Sequence, residues 1–208
     1  MDDDQKTINR TISDYNLIAD KFSSTRESVS SDLLAIAQRI FKDQSVLDYG
    51  CGNGRMAQFF SPHKYLGVDP SISLLHFAKN QFRQHKFEQI EPSQFKDEWS
   101  FQNIICLSVI HHIPSPVSQK MFARGLYNSL SNGGKLILTS WFSNDESILG
   151  LTDVPFIAEN TKIIRKVYFY TCPELKQIIS DAGFHIIRAE IVPRNKGRYS
   201  NIEIEAIK

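Results

Sequence analysis

Hydrophobic and polar positions alternate along the chain in short segments of two kinds. Apolar runs predict buried strands at residues 45–48, 65–69, 87–90, 103–108 and 135–140. Apolar residues at helical spacing predict helices at residues 31–41, 56–60, 72–82 and 117–130. One more helix is bracketed by Pro173 and Gly183. Such alternation predicts an α/β domain with a doubly wound parallel sheet, whose ligand lies at the carboxyl ends of the strands.

The remaining segments suggest how the domain is organised. Residues 1–29 are mostly polar with a weak helical pattern, so we expect an arm in front of one domain formed by residues 30–208. Residues 185–192 and 201–207 alternate in polarity, which predicts a closing antiparallel hairpin. Residues 143–167 show no clear period, and we expect an irregular insertion that serves as a lid or substrate loop.

Composition narrows the class of protein. A chain of 208 residues with 41% hydrophobic and 23% charged residues suits one soluble domain. No apolar run approaches the roughly 18 residues of a membrane span, and the acidic start Met1-Asp2-Asp3-Asp4 is unlike a secretory signal. The cysteines are odd in number and lack metal-ligand spacing. We therefore expect a cytoplasmic protein with no membrane partner, no disulfide framework and no metal.

Charge adds one open question. The net charge is only +1, but basic residues are concentrated late in the chain. They are Lys162, Arg165, Lys166, Arg188, Arg194, Lys196 and Arg198. Such a concentration is either a solvated surface or part of a nucleic-acid contact, and the sequence leaves both interpretations open.

A glycine-rich turn carries the strongest chemical signal. Residues 48–54 read Asp-Tyr-Gly-Cys-Gly-Asn-Gly directly after the first strand, and glycines there let a ligand approach backbone amides. A dinucleotide fingerprint would need glycine where Arg55 stands, so a pyrophosphate is less well served. Asp48 is placed to meet a cationic amino group, and Asp69, after the next strand, to accept from ribose hydroxyls. The expected ligand has a ribose and a cationic amino-acid end.

These features resemble the class I S-adenosylmethionine-dependent methyltransferases, whose turn of this kind cradles methionine. Residues 107–113 (Leu-Ser-Val-Ile-His-His-Ile) and 130–136 (Leu-Ser-Asn-Gly-Gly-Lys-Leu) fit the same family, so the resemblance spans about residues 40–140. It implies S-adenosylmethionine as cofactor and a Rossmann-like, mostly parallel seven-stranded sheet. The implied cofactor contacts are Tyr15, Asp48, Gly50, Cys51, Gly52, Gly54, Asp69, Pro70, Gln94, Phe95, Leu107 and Ser108. Gln94 or Phe95 is expected at the adenine, because the family's usual acid is missing there.

Two shorter segments resemble the transfer RNA wobble-uridine carboxymethyl methyltransferases, which convert 5-carboxymethyluridine to its methyl ester. One is Tyr15-x-x-Ile-Ala-x-x-Phe-Ser-x-Thr-Arg26, and the other is residues 108–113. The tryptophan expected after Arg26 is absent, and a His-His pair also occurs in small-molecule methyltransferases. The resemblance implies tRNA as a partner and, as in eukaryotic members, a small zinc-binding activator protein. A small-molecule O- or N-methyltransferase and a non-catalytic cofactor-binding subunit are the alternatives.

Three residues are candidates for the catalytic step. A carboxylate acceptor is ionised at neutral pH and needs a cation for orientation rather than a base. Arg26, on an arm folded over the active site, can provide a two-point grip, although a surface or helix-capping role is equally compatible. His111 and His112 follow the fourth strand, where an imidazole can bond a carboxylate or a uridine edge, or serve the structure alone.

Overall fold

The computed structural model describes residues 3–26, 30–92, 94–158, 161–193 and 199–208. Its helices are α1 (Asp3–Leu17), α2 (Ala19–Ser24), α3 (Ser31–Ala37), α4 (Ile72–Gln81), α5 (Pro116–Asn128) and α6 (Cys172–Asp181). Its strands are β1 (Val46–Tyr49), β2 (Tyr65–Asp69), β3 (Lys86–Gln89), β4 (Phe101–Leu107), β5 (Leu130–Phe142), β6 (Gly150–Ala158), β7 (Thr161–Phe169), β8 (His185–Val192) and β9 (Ser200–Ile207).

Seven of the strands form one sheet in the order β3-β2-β1-β4-β5-β9-β8. The first five are parallel, whereas β9 pairs antiparallel with both β5 and β8. This confirms the predicted doubly wound sheet and its closing hairpin. The chain reverses its direction across the sheet between β1 and β4. In open α/β sheets such a switch point leaves a crevice at the carboxyl ends of the strands, where ligands bind.

The core lies on both faces of this sheet, because adjacent residues of a strand point to opposite faces. Leu47 belongs to the cluster under α5 and α6, whereas the preceding Val46 belongs to the cluster under α3 and α4. Both side chains are fully buried, and burial of such a side chain contributes about 1.5–3 kcal/mol. Packing on two sides fixes β1, and so fixes the turn that follows it.

Some predicted helix boundaries are wrong. Residues 56–60 form only a short 3₁₀ turn, Ala57–Phe59, since Ser61 precedes Pro62 and is held in the extended conformation that proline imposes on its neighbour. Helix α3 ends at Ala37 rather than at residue 41. Helix α5 ends before the Gly-Gly pair, and β5 already starts at Leu130, which pairs with β4.

The segment 143–167 contains regular strands, which corrects the expectation of an irregular insertion. Strands β6 and β7 form an antiparallel pair that runs from Gly150 opposite Phe169 to Ala158 opposite Thr161. The pair packs on the main body through a small buried cluster of Val154, Val167 and Phe169, with Trp141 against it. Charged residues and Pro155 interrupt the alternation and hide the strands in the sequence.

The N-terminal helices lie against the same end of the sheet. The side-chain oxygen of Asn16, on α1, accepts hydrogen bonds from the Ser71 hydroxyl at 2.8 Å and the Ser73 backbone at 3.1 Å. Ser71 is the N-cap of α4 and Ser73 lies in its first turn, so α1 is tied to the segment that follows β2. None of the helices in the described ranges is long and apolar enough to cross a membrane.

Candidate active site

The turn after β1 contains three glycines with positive φ, at +79° for Gly50, +57° for Gly52 and +78° for Gly54. A Cβ on Gly50 would overlap the Val109 side chain, and one on Gly54 would lie 2.9 Å from Ala78 Cβ. These two glycines therefore permit close packing within the protein. A Cβ on Gly52 would meet only Phe22 Cε1, at 3.6 Å. Gly52 is thus the glycine that keeps a space open.

That space belongs to a cavity of about 850 Å³ at the crevice of the sheet. The glycine turn and the carboxyl ends of β1 and β2 line one side. The N-terminal helices, the segment after β4 and strand β7 line the other. A volume of this size is at the upper end for small-molecule sites, so it can hold a cofactor together with part of an acceptor.

Asp69 sits at the end of β2 with both carboxylate oxygens hydrogen-bonded. Oδ2 accepts the backbone N–H of Gly52 at 2.9 Å, and Oδ1 accepts that of Ser71 at 2.8 Å. Burial raises the pKa of Asp69 to about 6, although the two backbone hydrogen bonds act to lower it. Each oxygen retains a further acceptor site. Asp69 therefore holds the glycine turn in place and can still accept from ribose hydroxyls.

Asp48 lies deeper, on the cavity wall beneath the turn. Its Oδ2 accepts a 2.5 Å hydrogen bond from the hydroxyl of Tyr65. Burial raises the pKa of Asp48 to about 7; the hydrogen bond from Tyr65 lowers it, and the charge of Asp69 raises it further. Asp48, which was predicted to face a cationic amino group, therefore has one carboxylate oxygen already hydrogen-bonded within the protein.

Most of the other predicted cofactor residues line the cavity, and two do not. Cys51, Pro70, Leu107 and Ser108 line the cavity, as does Tyr15. Ser108 has a φ of +60°, which is rare for a residue other than glycine, and its N–H donates at 3.0 Å to the backbone oxygen of Thr139 and at 3.0 Å to its hydroxyl. That pair of bonds holds the backbone where the segment after β4 enters the cavity.

Gln94 and Phe95 do not match their predicted position. Phe95 stacks on Tyr49 at 5.0 Å between ring centroids and packs in the core, and Gln94 is exposed and bonds Glu91 within its own loop. Among the described residues of this loop, Pro92 reaches the cavity. An aromatic side chain in a loop can face the core or a ligand, and here a gap beside Gly125 accommodates the ring.

The two adjacent histidines have different partners. His111 is fully buried, and its Nδ1 accepts the backbone N–H of Trp141 at 3.3 Å, which links the segment after β4 to β5. His112 faces the cavity, where its Nε2 is 3.0 Å from the hydroxyl of Tyr15. Desolvation and the nearby charge of Arg165 lower the pKa of His112 to about 3, against an opposing effect from the backbone of Lys166. His112 is therefore neutral at pH 7 and a weak base.

Arg165, on β7, was predicted only as one of the late basic residues and not as a site residue. Its Nη1 donates to the hydroxyl oxygen of Tyr15 at 3.2 Å. The same oxygen lies within hydrogen-bond distance of Nε2 of His112, so Tyr15 bridges Arg165 and His112. The three side chains form a relay from β7 through α1 to the segment after β4. Residues 163, 165, 167 and 169 are all buried, so Arg165 lies on the inner face of the strand. The sequence signal for this face was the apolar residue at alternate positions 163, 167 and 169.

Arg26 follows α2 and lies at the edge of the cavity, half-buried. Its guanidinium carbon is 3.8 Å from the centroid of the Phe22 ring, and Nη1 donates to the Phe22 carbonyl at 3.3 Å and to the Thr25 hydroxyl at 3.0 Å. The structure thus brings Arg26 to the cavity beside Gly52, with its guanidinium engaged by the arm itself.

The late basic residues do not form one continuous patch in the described part of the chain. Lys166 pairs with Asp153 at 2.8 Å, and Arg188 pairs with Glu190 at 2.8 Å and with Glu203 at 3.2 Å. Arg165 is buried. Arg194, Lys196, Arg198 and the side chain of Lys162 lie outside the described residues.

Comparison with known proteins adds a family and several relatives. A family model described as "Methyltransferase domain" matches residues 22–189. A tRNA (carboxymethyluridine(34)-5-O)-methyltransferase of Arabidopsis thaliana is 25% identical, over 66% of this chain and 34% of the relative. A tRNA U34 carboxymethyltransferase of Sulfurovum is 29% identical, over 70% and 49%. A ubiquinone biosynthesis O-methyltransferase of Coxiella burnetii is 32% identical, over 55% and 51%.

The matched part of the chain thus spans about a third to a half of the length of these relatives. Among solved structures, an S-adenosylmethionine-dependent methyltransferase from Clostridium acetobutylicum superposes with a TM-score of 0.70 at 17% identity. The superposition covers 93% of this chain and 98% of that one. At that identity the likeness establishes the fold.

Proposed function

Because the chain belongs to the methyltransferase domain family, whose methyl donor is S-adenosylmethionine, we propose that its acceptor is the carboxylate of 5-carboxymethyluridine at the wobble position of a tRNA. The observation that carries the proposal is the hydrogen bond between Tyr15 and His112. It joins, inside the cavity, the two sequence segments that resemble the wobble-uridine enzymes. Two relatives carry names that refer to the same tRNA position, which supports the proposal.

The donor side of the cavity fits S-adenosylmethionine. When bound, this cofactor supplies an electrophilic methyl group on a sulfonium. The space that a Cβ at Gly52 would fill opens into the cavity that both buried acids line, so we propose that the turn receives the methionine part. Asp69 faces the same space and is proposed to accept from the ribose hydroxyls. We propose Asp48, Cys51, Pro70, Leu107 and Ser108 as the further contacts.

The acceptor side fits a nucleophile that needs no base. A carboxylate oxygen forms the new bond to the methyl carbon while the carbon–sulfur bond breaks and its electron pair stays on sulfur. A negative carboxylate and a positive sulfonium thereby become a neutral ester and a neutral thioether, and no proton is removed. His112, whose pKa is lowered to about 3, would be inefficient as a general base but can orient the acceptor through hydrogen bonds. Trp141 lines the cavity, with its ring packed against His111 and Tyr199 at 4.9 and 5.6 Å between centroids, so we propose that it shapes the acceptor side.

The alternative acceptor is a small molecule methylated on oxygen or nitrogen, for example a phenol, and one relative is named as an O-methyltransferase. The aromatic and aliphatic side chains on the acceptor side of the cavity favour this second candidate. A phenol has a pKa of about 10 and would need a base for efficient transfer at neutral pH. Because His112 is so weak a base, the phenol is the less favoured acceptor.

A transfer assay can separate these acceptors. The protein is incubated with methyl-labelled S-adenosylmethionine and one of three acceptors: tRNA carrying 5-carboxymethyluridine, the same tRNA with unmodified uridine, or a prenylated catechol. Each reaction is run with and without a small zinc-binding activator protein. We expect label only in the methyl ester of 5-carboxymethyluridine, which nucleoside mass spectrometry identifies. Label in the catechol and in neither tRNA would reject the wobble-uridine proposal.

A further inference from the structure

Arg165 combines burial with access to the cavity. Only 6% of its surface is exposed, yet it lines the cavity beside Tyr15 and His112. Aromatic rings surround the guanidinium: its carbon lies 5.1 Å from the centroid of Phe156, 5.3 Å from that of Trp141 and 5.9 Å from that of Tyr15. Such rings favour a cation through their electron-rich faces, and they shield it from water.

Within the part of the chain that the structure describes, the charge of Arg165 has no ion-pair partner. No carboxylate among the described residues lies within 4.0 Å of its guanidinium nitrogens. Asp14 acts on it only at longer range, through charge. Its Nε is buried without a hydrogen-bond partner in the described structure. A buried cation without an ion pair is costly to the fold, so its retention needs a reason.

The two buried glutamates of β9 are paired. Glu203 lines the same cavity, but it bonds Arg39 at 2.8 Å and Arg188 at 3.2 Å. Glu205 bonds Arg39 at 3.1 Å and Lys135 at 2.9 Å. These glutamates are paired within the protein, whereas Arg165, like Asp48 and Asp69, faces the cavity without an ion pair among the described residues.

We infer that Arg165 is the specificity-determining residue that binds the anionic group of the acceptor, a carboxylate, between the rings of Trp141 and Phe156. Its planar guanidinium presents donors in the paired geometry that a carboxylate accepts. The hydrogen bond to Tyr15 fixes the plane of the guanidinium and connects it to His112. The inference rests on the proposed function in one respect, namely that this side of the cavity receives the acceptor.

The test compares a carboxylate with its neutral amide. Protein saturated with S-adenosylhomocysteine is titrated by calorimetry with 5-carboxymethyluridine and with 5-carbamoylmethyluridine, which differ only in the charge of the side chain. We expect the wild type to bind the acid at least about tenfold more tightly, since the carboxylate accepts charge-assisted hydrogen bonds that are stronger than those of the neutral amide. Arg165→Met should bind the two nucleosides equally while keeping its affinity for S-adenosylhomocysteine.

Two further variants serve as controls. Arg124→Met is the matched control, because the Arg124 guanidinium also lies over a tyrosine ring, 5.1 Å from the centroid of Tyr127, and also donates to one neutral oxygen. Arg124 lies outside the cavity lining, so this variant should keep the preference for the acid. If Arg165→Met does not fold, Arg165→Lys replaces it, because lysine keeps the positive charge but lacks the paired, coplanar N–H donors of a guanidinium. Its acid preference should fall at least threefold. An acid preference that survives in the folded Met variant, or an unchanged one in the Lys variant, overturns the inference.

The two proposals can fail separately. Phenylacetate and phenylacetamide are titrated as a second pair, which has the same difference in charge without the nucleoside. If the wild type prefers phenylacetate through Arg165 but does not bind the uridine acid, the anion site stands and the wobble-uridine acceptor fails. If tRNA is methylated while the acid preference is independent of Arg165, the proposed function stands and this inference fails. No acid preference in either pair also overturns it.

Discussion

The two sides of the cavity are built in different ways. On the donor side, Gly52 and Asp69 are hydrogen-bonded partners only 17 residues apart, in a turn between neighbouring strands. On the acceptor side, Tyr15 bonds His112 across 97 residues and Arg165 across 150. The donor side therefore depends on local backbone geometry. The acceptor side exists only when three distant elements are folded together.

This difference predicts two kinds of failure. Changes in the turn should weaken donor binding first, because backbone shape and two acids form that side. Changes in the relay of Tyr15, His112 and Arg165 should leave donor binding nearly intact and reduce turnover. The predictions below test that separation, beginning with the largest expected effect.

Gly52→Val should reduce the affinity for S-adenosylmethionine at least about 100-fold, equivalent to ~2.7 kcal/mol. The side chain would occupy the open space beside Phe22, and a β-branched residue is strained at a φ of +57°. Gly133→Val is the matched control, since Gly133 has a φ of +74° but no atom within 4 Å of the added Cβ. Calorimetry should show normal affinity in the control. Equal losses in both variants would mean that strain alone is responsible.

Donor affinity should rise with pH between 5 and 7, by about tenfold or more. Ribose hydroxyls donate to ionised Asp69, whose pKa in the free protein is raised to about 6, while Asp48, at about 7, extends the rise. The effect on stability has the opposite sign. Because the folded-state pKa of Asp69 is raised, its contribution to stability is present below the unfolded value and is lost as pH rises through about 6.

Calorimetric titrations across this pH range check the affinity, and Asp69→Asn is the matched variant. It should bind the donor more weakly at pH 7 and lose the part of the pH dependence centred near 6. A wild-type affinity that is constant from pH 5 to 7 would contradict the assignment of the two acids to the donor side.

Tyr15→Phe should lower kcat/KM about tenfold and leave donor affinity within about twofold, since one hydroxyl in a charge-assisted relay contributes ~1–2 kcal/mol. The variant separates the relay from the predicted contact of Tyr15 with the cofactor. Tyr127→Phe, on α5 and outside the cavity lining, is the matched control. If Tyr15→Phe reduces donor affinity as strongly as turnover, Tyr15 belongs to the donor side.

Arg26→Ala should have the smallest effect, a loss of about threefold to tenfold in kcat/KM with donor affinity near that of the wild type. Arg26 reaches the cavity, and we propose it as an acceptor contact, but its guanidinium already bonds the Phe22 carbonyl and the Thr25 hydroxyl. Steady-state kinetics for Arg26→Ala and Arg165→Met side by side rank the two arginines. A larger loss for Arg26→Ala would make it the main acceptor cation.

The sequence predicted the donor side of the cavity better than the acceptor side. The turn at 48–54, the place of Asp69 at the end of a strand and the alternation of strands and helices were predictable, because each rests on residues close together in the chain. Strand β7 was missed, since charged residues break the apolar pattern and its partner β6 contains a proline. Arg165 was hidden with it. Phe95 was misplaced because only tertiary packing decides whether a loop aromatic turns to the core or to a ligand.

The most direct measurement of the central claim is the chemical form of the transferred methyl group. A methyl ester releases labelled methanol in mild alkali, whereas an O-methyl ether or an N-methyl amine keeps its label. After transfer from labelled S-adenosylmethionine to tRNA that carries 5-carboxymethyluridine, we predict that nearly all tRNA-bound label becomes volatile under alkali and that none is bound when the carboxymethyl group is absent. Alkali-stable label, or label that binds both tRNAs equally, would contradict a carboxylate acceptor.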